Sequence, residues 1–253
     1  MKEKKLKQVS WKYKAALLIF AYPLGMLLGF FLWAGELLGK VRILHRERLK
    51  HEDLGKIIFV SNHPSWGDPF FISYLLFEFY CKNPIKHSPL IVADRKQFFD
   101  HWFVKLFQTV MIPVDRGDPK KEALSFRRIL ECFGQNERPG ILFAEGGRTS
   151  SGNKDEMMYS PKGEKIRRLK EGIGLLVKQL KNRVIIPVAI MGSDHVCPNE
   201  KRRLFTKFVM EKSITINIGE PITFDEGHTR GEIAFKIGSK ILALMDEVRQ
   251  TRT

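Results

Sequence analysis

From Ala15 to Gly35 the chain runs 21 residues without a charged side chain, and no other stretch constrains the fold as strongly. Seventeen of these are apolar or aromatic, and the others are Pro23, Gly25, Gly29 and Gly35. As one helix the run extends about 31 Å, the hydrocarbon thickness of a bilayer. Six lysines (Lys2, Lys4, Lys5, Lys7, Lys12, Lys14) precede it, and Lys40, Arg42, Arg46, Arg48 and Lys50 follow. A secretory signal peptide fits poorly, because its apolar core is usually ~7–15 residues and Trp33-Ala34-Gly35-Glu36 makes an unconvincing cleavage site. With both flanks basic, charge gives no orientation for a single span. Pro23 and Gly25 stand mid-run, where a helix kinks or breaks. The expectation is a helical hairpin dipping into one leaflet, with both basic ends on the cytoplasmic face. A single span is the main rival, and a buried core helix is the plainest alternative.

The rest of the chain reads as a folded domain. Short β-branched runs at Ile57–Ser61, Leu90–Ala93, Val110–Val114, Gly140–Ala144, Val184–Ile190 and Ile214–Ile218 alternate with longer amphipathic stretches. The helix expectations are Pro69–Tyr80, Phe98–Phe107, Lys120–Phe133, Ile166–Leu180 and Gly231–Val248. Such alternation predicts an α/β domain: a mostly parallel sheet with helices on both faces, preceded by the membrane-embedded helical segment. The expected division is residues 1–49 as membrane anchor and 50–253 as α/β domain. Cys81, Cys132 and Cys197 are odd in number and far apart, which gives neither a disulfide framework nor a zinc site and points to a reducing compartment.

Polar motifs follow several of the strands, where α/β sheets place their chemistry. The first is Ser61-Asn62-His63-Pro64-Ser65-Trp66-Gly67-Asp68. On a regular helix His63 and Asp68 would face apart, but Pro64 and Gly67 suggest a turn that folds Asp68 back onto the imidazole. Asp68 before Pro69 also has the pattern of an N-cap followed by proline at the first helical position. One carboxylate oxygen could then cap the helix while the other accepts from His63 Nδ1–H, leaving Nε2 as a general base. The residues alone leave open a plainer arrangement, in which Asp68 only caps and His63 packs in a loop.

The second motif is Ile141-Leu142-Phe143-Ala144-Glu145-Gly146-Gly147-Arg148-Thr149, an apolar strand running into an acid, two glycines and an arginine. The glycines permit close approach of backbone to a ligand, and Arg148 offers a bidentate fork suited to phosphate. An exposed Glu145–Arg148 turn is the alternative. In Val110-Met111-Ile112-Pro113-Val114-Asp115-Arg116-Gly117 a strand again ends in a basic residue, and on its own Arg116 reads as a surface side chain. In Ile185-Ile186-Pro187-Val188 the proline should sit at a bulge or a sheet edge. Asp194-His195 reads as an ordinary loop, and His101 as a boundary residue on an amphipathic helix.

Taken in order, NHPSWGD, IPVDRG, FAEGGR and IIPV resemble the four sequence blocks of the glycerophospholipid acyltransferases, most closely the bacterial lysophosphatidic acid acyltransferases. The resemblance covers about residues 57–190, and Lys170-Glu171-Gly172 is similar to the family's Lys-Gly turn after the third block. It implies that His63 and Asp68 are the catalytic dyad of a His-x4-Asp motif. It also implies that Arg116, Glu145, Gly146 and Arg148 line the site for the acceptor's glycerol phosphate, with Arg95 or Lys96 as an additional phosphate contact. Ala144 and Gly147 depart from the usual Pro and Thr of the third block, and the lost threonine hydroxyl removes one possible donor.

The implied reaction moves a fatty acyl group from acyl-CoA or an acyl carrier protein to the free hydroxyl of lysophosphatidic acid, giving phosphatidic acid. No metal and no bound cofactor is expected. Glycerol-3-phosphate or another lysolipid is the alternative acceptor, and a non-catalytic basic lipid-binding protein is the alternative of another class. A serine hydrolase using Ser65 lacks the Gly-x-Ser-x-Gly elbow. Nucleic-acid binding lacks any recognisable motif.

Charge supports a lipid partner. The chain carries 43 Lys+Arg against 28 Asp+Glu, net +15. Residues 1–56 hold 12 basic and 5 acidic side chains, whereas residues 57–153, with three of the blocks, hold 12 and 10. A second excess, 14 against 7, falls in 154–212. The pattern points first to an anionic membrane, where each base contributes about 1 kcal/mol, and second to an acidic donor. The resemblance places the chain at the cytoplasmic face of a bacterial inner membrane.

Overall fold

The structure is a computed structural model that describes residues 15, 17–50, 52–98, 110–135, 137–151, 156–197 and 212–251. A π-helical turn, Leu17–Ala21, leads directly into helix α1, Tyr22–Leu37. Strand β1 (Val41–Leu44) follows, then β2 (Ile57–Ser61), α2 (Asp68–Tyr74), α3 (Phe77–Lys82) and α4 (Pro84–His87). Next come β3 (Leu90–Asp94), α5 (Arg95–Phe98), β4 (Met111–Val114), α6 (Pro119–Gln135) and β5 (Gly140–Leu142). A hairpin of β6 (Met157–Tyr159) and β7 (Lys165–Arg167) precedes α7 (Gly172–Gln179), β8 (Val184–Met191), α8 (Ser193–Val196), β9 (Ile214–Ile218) and α9 (Arg230–Gln250).

Seven strands form one sheet in the order β1-β9-β8-β2-β5-β3-β4. All neighbours are parallel except β8 and β9. The central strand β2 is buried along its whole length, so its five residues are apolar until Ser61. Its side chains alternate between two cores, as the period of two in a strand requires. Ile58 and Val60 join Ile129, Phe133, Ile173, Leu176, Ile237 and Ile241 under α6, α7 and α9. Ile57 and Phe59 join Phe71, Ile72, Leu76 and Leu32 under α1–α3. Helices therefore cover both faces.

The N-terminal segment differs from the expectation. Residues 17–37 form one uninterrupted helical run, so the hairpin with a break at Pro23 is not formed. Pro23 falls in the first turn of the α-helical part, directly after the π-turn, so the proline without an N–H stands where the helical hydrogen-bond pattern changes. Leu18–Leu37 is long and apolar enough to cross a membrane. Gly25 and Gly29 lie four apart on one face and seat side chains of α3: a Cβ on Gly29 would stand 2.1 Å from the Phe77 ring, and one on Gly25 would stand 2.8 Å from that of Tyr80. The Tyr80 hydroxyl donates to the Ala21 carbonyl at 3.0 Å. The opposite face, with Ile19, Leu27, Phe30, Phe31 and Leu37, is exposed. The six N-terminal lysines lie outside the described residues.

The sheet also reaches back across the expected boundary at 49/50, because β1 pairs with β9 from Val41↔Ile214 to Leu44↔Asn217. Its four residues include Arg42 and follow the apolar run, which made them read as a basic flank. The helix expected over Ile166–Leu180 is divided: Lys165–Arg167 is strand and the helix begins at Gly172. An extended backbone there lets the Arg167 N–H donate to Glu145 Oε2 at 2.8 Å. Pro187 sits inside the sheet, paired with Val60 on one side, and at a bulge on the other, the first of its two expected settings: pairing passes from Val188↔Ile218 to Ile185↔Ile222 with one extra residue opposite it. Its carbonyl accepts from Gly219 N–H at 2.8 Å, on the side where the ladder with β9 ends at Val188. The missing proline N–H points to that same side, away from the ladder with β2, and the regular pairing with β9 stops there. The helix expected over Phe98–Phe107, with His101, lies outside the described residues beyond Phe98.

Candidate active site

β2 ends at Ser61, and Asn62 fastens it to β8. The Asn62 amide donates to the Ile190 carbonyl and accepts from the Ile190 N–H, both at 2.8 Å. His63 follows at the carboxyl edge of the sheet. Its Nδ1 lies 2.8 Å from Asp68 Oδ2. Asp68 is fully buried, whereas the His63 side chain keeps 19% of its surface. A carboxylate accepts only, so Nδ1 carries the proton and Nε2 presents a lone pair. The imidazole stacks on Phe143 with ring centroids 4.2 Å apart, which fixes its plane.

The turn that brings the two together is built by Ser65. Its N–H donates to Asp68 Oδ2 at 2.8 Å and its hydroxyl to Oδ1 at 2.7 Å, while the Gly67 N–H donates to Ser65 Oγ at 3.2 Å. Ser65-x-x-Asp68 has the spacing of a capping box, but the helix begins at Asp68 with Gly67 as its cap, so these bonds close the loop rather than cap the helix. Asp68 is thus not the N-cap expected from sequence. It is the first residue of α2, behind Gly67 at the cap, and its carboxylate turns back onto the preceding loop. A fourth donor comes from far along the chain: the Ser193 hydroxyl reaches Asp68 Oδ1 at 2.6 Å. Because Ser65 is buried and spends its proton on Asp68, it has no arrangement as a nucleophile toward His63.

Glu145 occupies the core of this corner and is fully buried. Its Oε1 accepts from the His63 N–H at 2.7 Å and the Thr149 hydroxyl at 2.8 Å, and its Oε2 accepts from the Arg167 N–H. The Thr149 N–H donates to the His63 carbonyl at 2.9 Å. Both main-chain groups of His63 are therefore held by the third block. Burial raises the Glu145 pKa, and the donors from Arg167, Thr149 and His63 oppose that rise. Sequence reasoning placed Glu145 among acceptor contacts; the structure turns it inward, beneath His63.

The basic residues line the adjoining edge. Gly146, at φ +72°, gives its carbonyl to Arg116, whose Nε lies 3.4 Å from Asp94 Oδ2. Arg95 Nε lies 2.8 Å from Asp115 Oδ1, so β3 and β4 end in two reciprocal Arg–Asp pairs. Both arginines are close to half exposed, and pairs of this kind contribute about 1 kcal/mol or less. Arg148 is half-buried and stands one residue before Thr149. Lys96 is exposed and has no polar contact among the described residues. The Lys170 stem lies over Gly146, with Cγ and Cε 3.2 Å from the position of a Cβ there.

Cys197, from the loop after β8, is buried against Gly67, and burial followed by the charge of Asp68 pushes its thiol up to about 11. That excludes it as a thiolate nucleophile at neutral pH. Asp194 and His195 are exposed on α8. Sequence reasoning missed both serines that shape the dyad. Ser65 was read only as a rival nucleophile, and Ser193 meets Asp68 only through the sheet.

A buried carboxylate is oriented on an imidazole at the end of the central strand of a mostly parallel α/β sheet, beside a rim of arginines, a geometry that general-base chemistry can use. The sequence profile of the acyltransferase family matches residues 40–191, more than half of the chain, and the chain belongs to that family. The crystal structure of the 1-acyl-sn-glycerophosphate (LPA) acyltransferase PlsC from Thermotoga maritima is similar in fold. It superposes with a TM-score of 0.56 at 15% sequence identity, covering 83% of this chain and 72% of that one. No curated protein matches the sequence.

Proposed function

We propose that the chain acylates the free hydroxyl of lysophosphatidic acid, using an acyl-CoA or acyl carrier protein thioester and yielding phosphatidic acid. The carrying observation is the His63–Asp68 contact, which engages Nδ1 and leaves Nε2 as the basic atom of the imidazole. In this reading Nε2 takes the hydroxyl proton as the oxygen attacks the thioester carbonyl. Asp68 stabilises the imidazolium, the C–S bond breaks, and the departing thiolate takes the proton back from Nε2. A thiolate leaves readily, so no covalent acyl-enzyme is required. General-base catalysis supplies typically ~10²–10⁴-fold, and positioning with oxyanion stabilisation supplies the remainder. Arg116 and Arg148 hold the acceptor phosphate, with Arg95 at the margin, and Gly146 lets the backbone approach it.

The exposed apolar face of α1 anchors the chain at an anionic membrane. Lys40, directly after α1, accepts a bond from Ile214 N–H, and Ile214 lies where β9 meets the end of β8. The anchor thus ends at the same sheet edge as the dyad, and a lipid acceptor need not leave the surface to reach it. The test is an assay of detergent-solubilised protein with both thioester donors. Acceptors are lysophosphatidic acid, glycerol-3-phosphate and neutral or zwitterionic lysolipids, with His63→Ala as control. Transfer to lysophosphatidic acid above all other acceptors supports the proposal, and a preference for another acceptor replaces it.

A further inference from the structure

Asp68 uses its full acceptor capacity of about four sites. Oδ2 is shared between His63 Nδ1 and the Ser65 N–H, and Oδ1 takes the hydroxyls of Ser65 and Ser193. Three of these donors belong to the loop that carries the dyad. Ser193 is the first residue of α8, 125 residues away, and is itself fully buried.

The chain makes a special turn to bring it there. Gly192 has φ +87°, and a Cβ on it would stand 2.3 Å from the Ser213 carbonyl oxygen, so only glycine fits. Two residues earlier, Asn62 clasps both main-chain groups of Ile190. The strand ends are thereby locked in register, and the hydroxyl after the turn meets Oδ1 at 2.6 Å. The Asn62 clamp, the left-handed turn and the hydroxyl are separate features with one common result.

We propose that Ser193 is a positioning residue of acyl transfer, its hydroxyl orienting Asp68 so that Oδ2 fixes the Nδ1–H form of His63. The inference rests on the general-base reading of His63. Removal of the hydroxyl leaves Oδ1 one donor short in a buried site, and the carboxylate is then free to rotate toward Ser65. His63 loses its fixed orientation, while the acceptor and donor sites keep their shape.

Thr and Val at position 193 have the same shape and differ only in the hydroxyl, so their comparison separates the bond from packing. In the full chain, Ser193→Val should lower kcat about tenfold or more with both KM values within about twofold, and Ser193→Thr should restore most of the rate. With 15N-histidine labelling, the low-field Nδ1 proton of His63, assigned by its absence in His63→Gln, should persist in the Thr variant and broaden or vanish in the Val variant. Equal kcat and equal Nδ1 signals in the two variants, whether both near wild type or both impaired, would overturn the proposal. If the wild-type chain transfers no acyl group to any acceptor, the general-base reading fails on its own. The Nδ1 comparison still decides whether Ser193 orients the pair.

Discussion

The main-chain N–H of His63 donates to Glu145 Oε1 at 2.7 Å, so the imidazole is set from below by a buried carboxylate as well as from the side by Asp68. This gives Glu145 a consequence distinct from that of a ligand contact. Glutamine in its place turns an NH2 toward at least one of three N–H or O–H donors. Glu145→Gln should therefore cost about 1–3 kcal/mol of stability and lower kcat, with little change in acceptor KM. Steady-state kinetics check this; a rise in acceptor KM alone would return Glu145 to the acceptor site.

The same carboxyl carries a pH dependence. Its folded-state pKa is raised above the ordinary 4.5 by burial, so the native state holds the proton more tightly than the unfolded chain. The contribution of Glu145 to stability then falls as pH rises from the ordinary carboxylate range through the raised value. Glu145→Gln removes that slope. The Tm advantage of wild type over the variant should be larger at about pH 5 than at about pH 8.

Substitutions within the pair itself should act on turnover. His63→Ala removes the base and should abolish transfer while leaving Tm and membrane attachment intact. Asp68→Asn places an amide among four donors and removes the acceptor that fixes the tautomer, with an expected loss of ~10²–10⁴-fold in kcat. Rapid-quench turnover measurements check both, and more than a few per cent of wild-type rate in His63→Ala would remove it from the base role.

Arg116 and Arg148 should act on acceptor binding. Each charge-assisted bond to phosphate is worth about 1.5–3 kcal/mol, so Arg→Ala at either position should raise acceptor KM about 10- to 100-fold. Arg148→Lys should rescue little, because an ammonium lacks the planar fork. The same variants tested on an acceptor without phosphate should resemble wild type; an effect confined to the donor KM would assign these arginines elsewhere.

The two faces of α1 should separate in experiment. Gly29→Val drives a side chain into the Phe77 ring and should lower Tm through about 1–3 kcal/mol of overpacking, with vesicle binding retained. Phe31→Asp, on the exposed face, should leave Tm unchanged and weaken sedimentation with anionic vesicles. Equal effects of the two substitutions on both measurements would contradict the division of faces.

Much of this architecture was written locally. Five of the six expected strands were found within a residue at each end, and the sixth, Gly140–Ala144, was observed as Gly140–Leu142, because strands buried on both faces read as apolar runs bounded by turns. The contact of His63 with Asp68 was legible from five residues of spacing and a proline–glycine turn, whereas Ser65, read only as a rival nucleophile, showed its bonds to Asp68 in the structure. β1 and the β6–β7 hairpin were not, because segments of three or four residues carry too little periodicity. The uncharged run declared itself as a helix for an apolar setting, but not its continuity past Pro23, which follows from proline's place in the first turn.

The sequence alone determined the class of fold, the apolar helix ahead of it and the candidate pair of His63 and Asp68, since each depends on residues near one another in the chain. Only the tertiary structure decided what each carboxylate does. Asp68 and Glu145 look alike in sequence, each an acid in a glycine-containing loop after a strand. They differ because the sheet brings Ser193 to one and the main chain of His63 to the other. A buried carboxylate takes its role from the donors that surround it, and those donors come from segments 82 and 125 residues away.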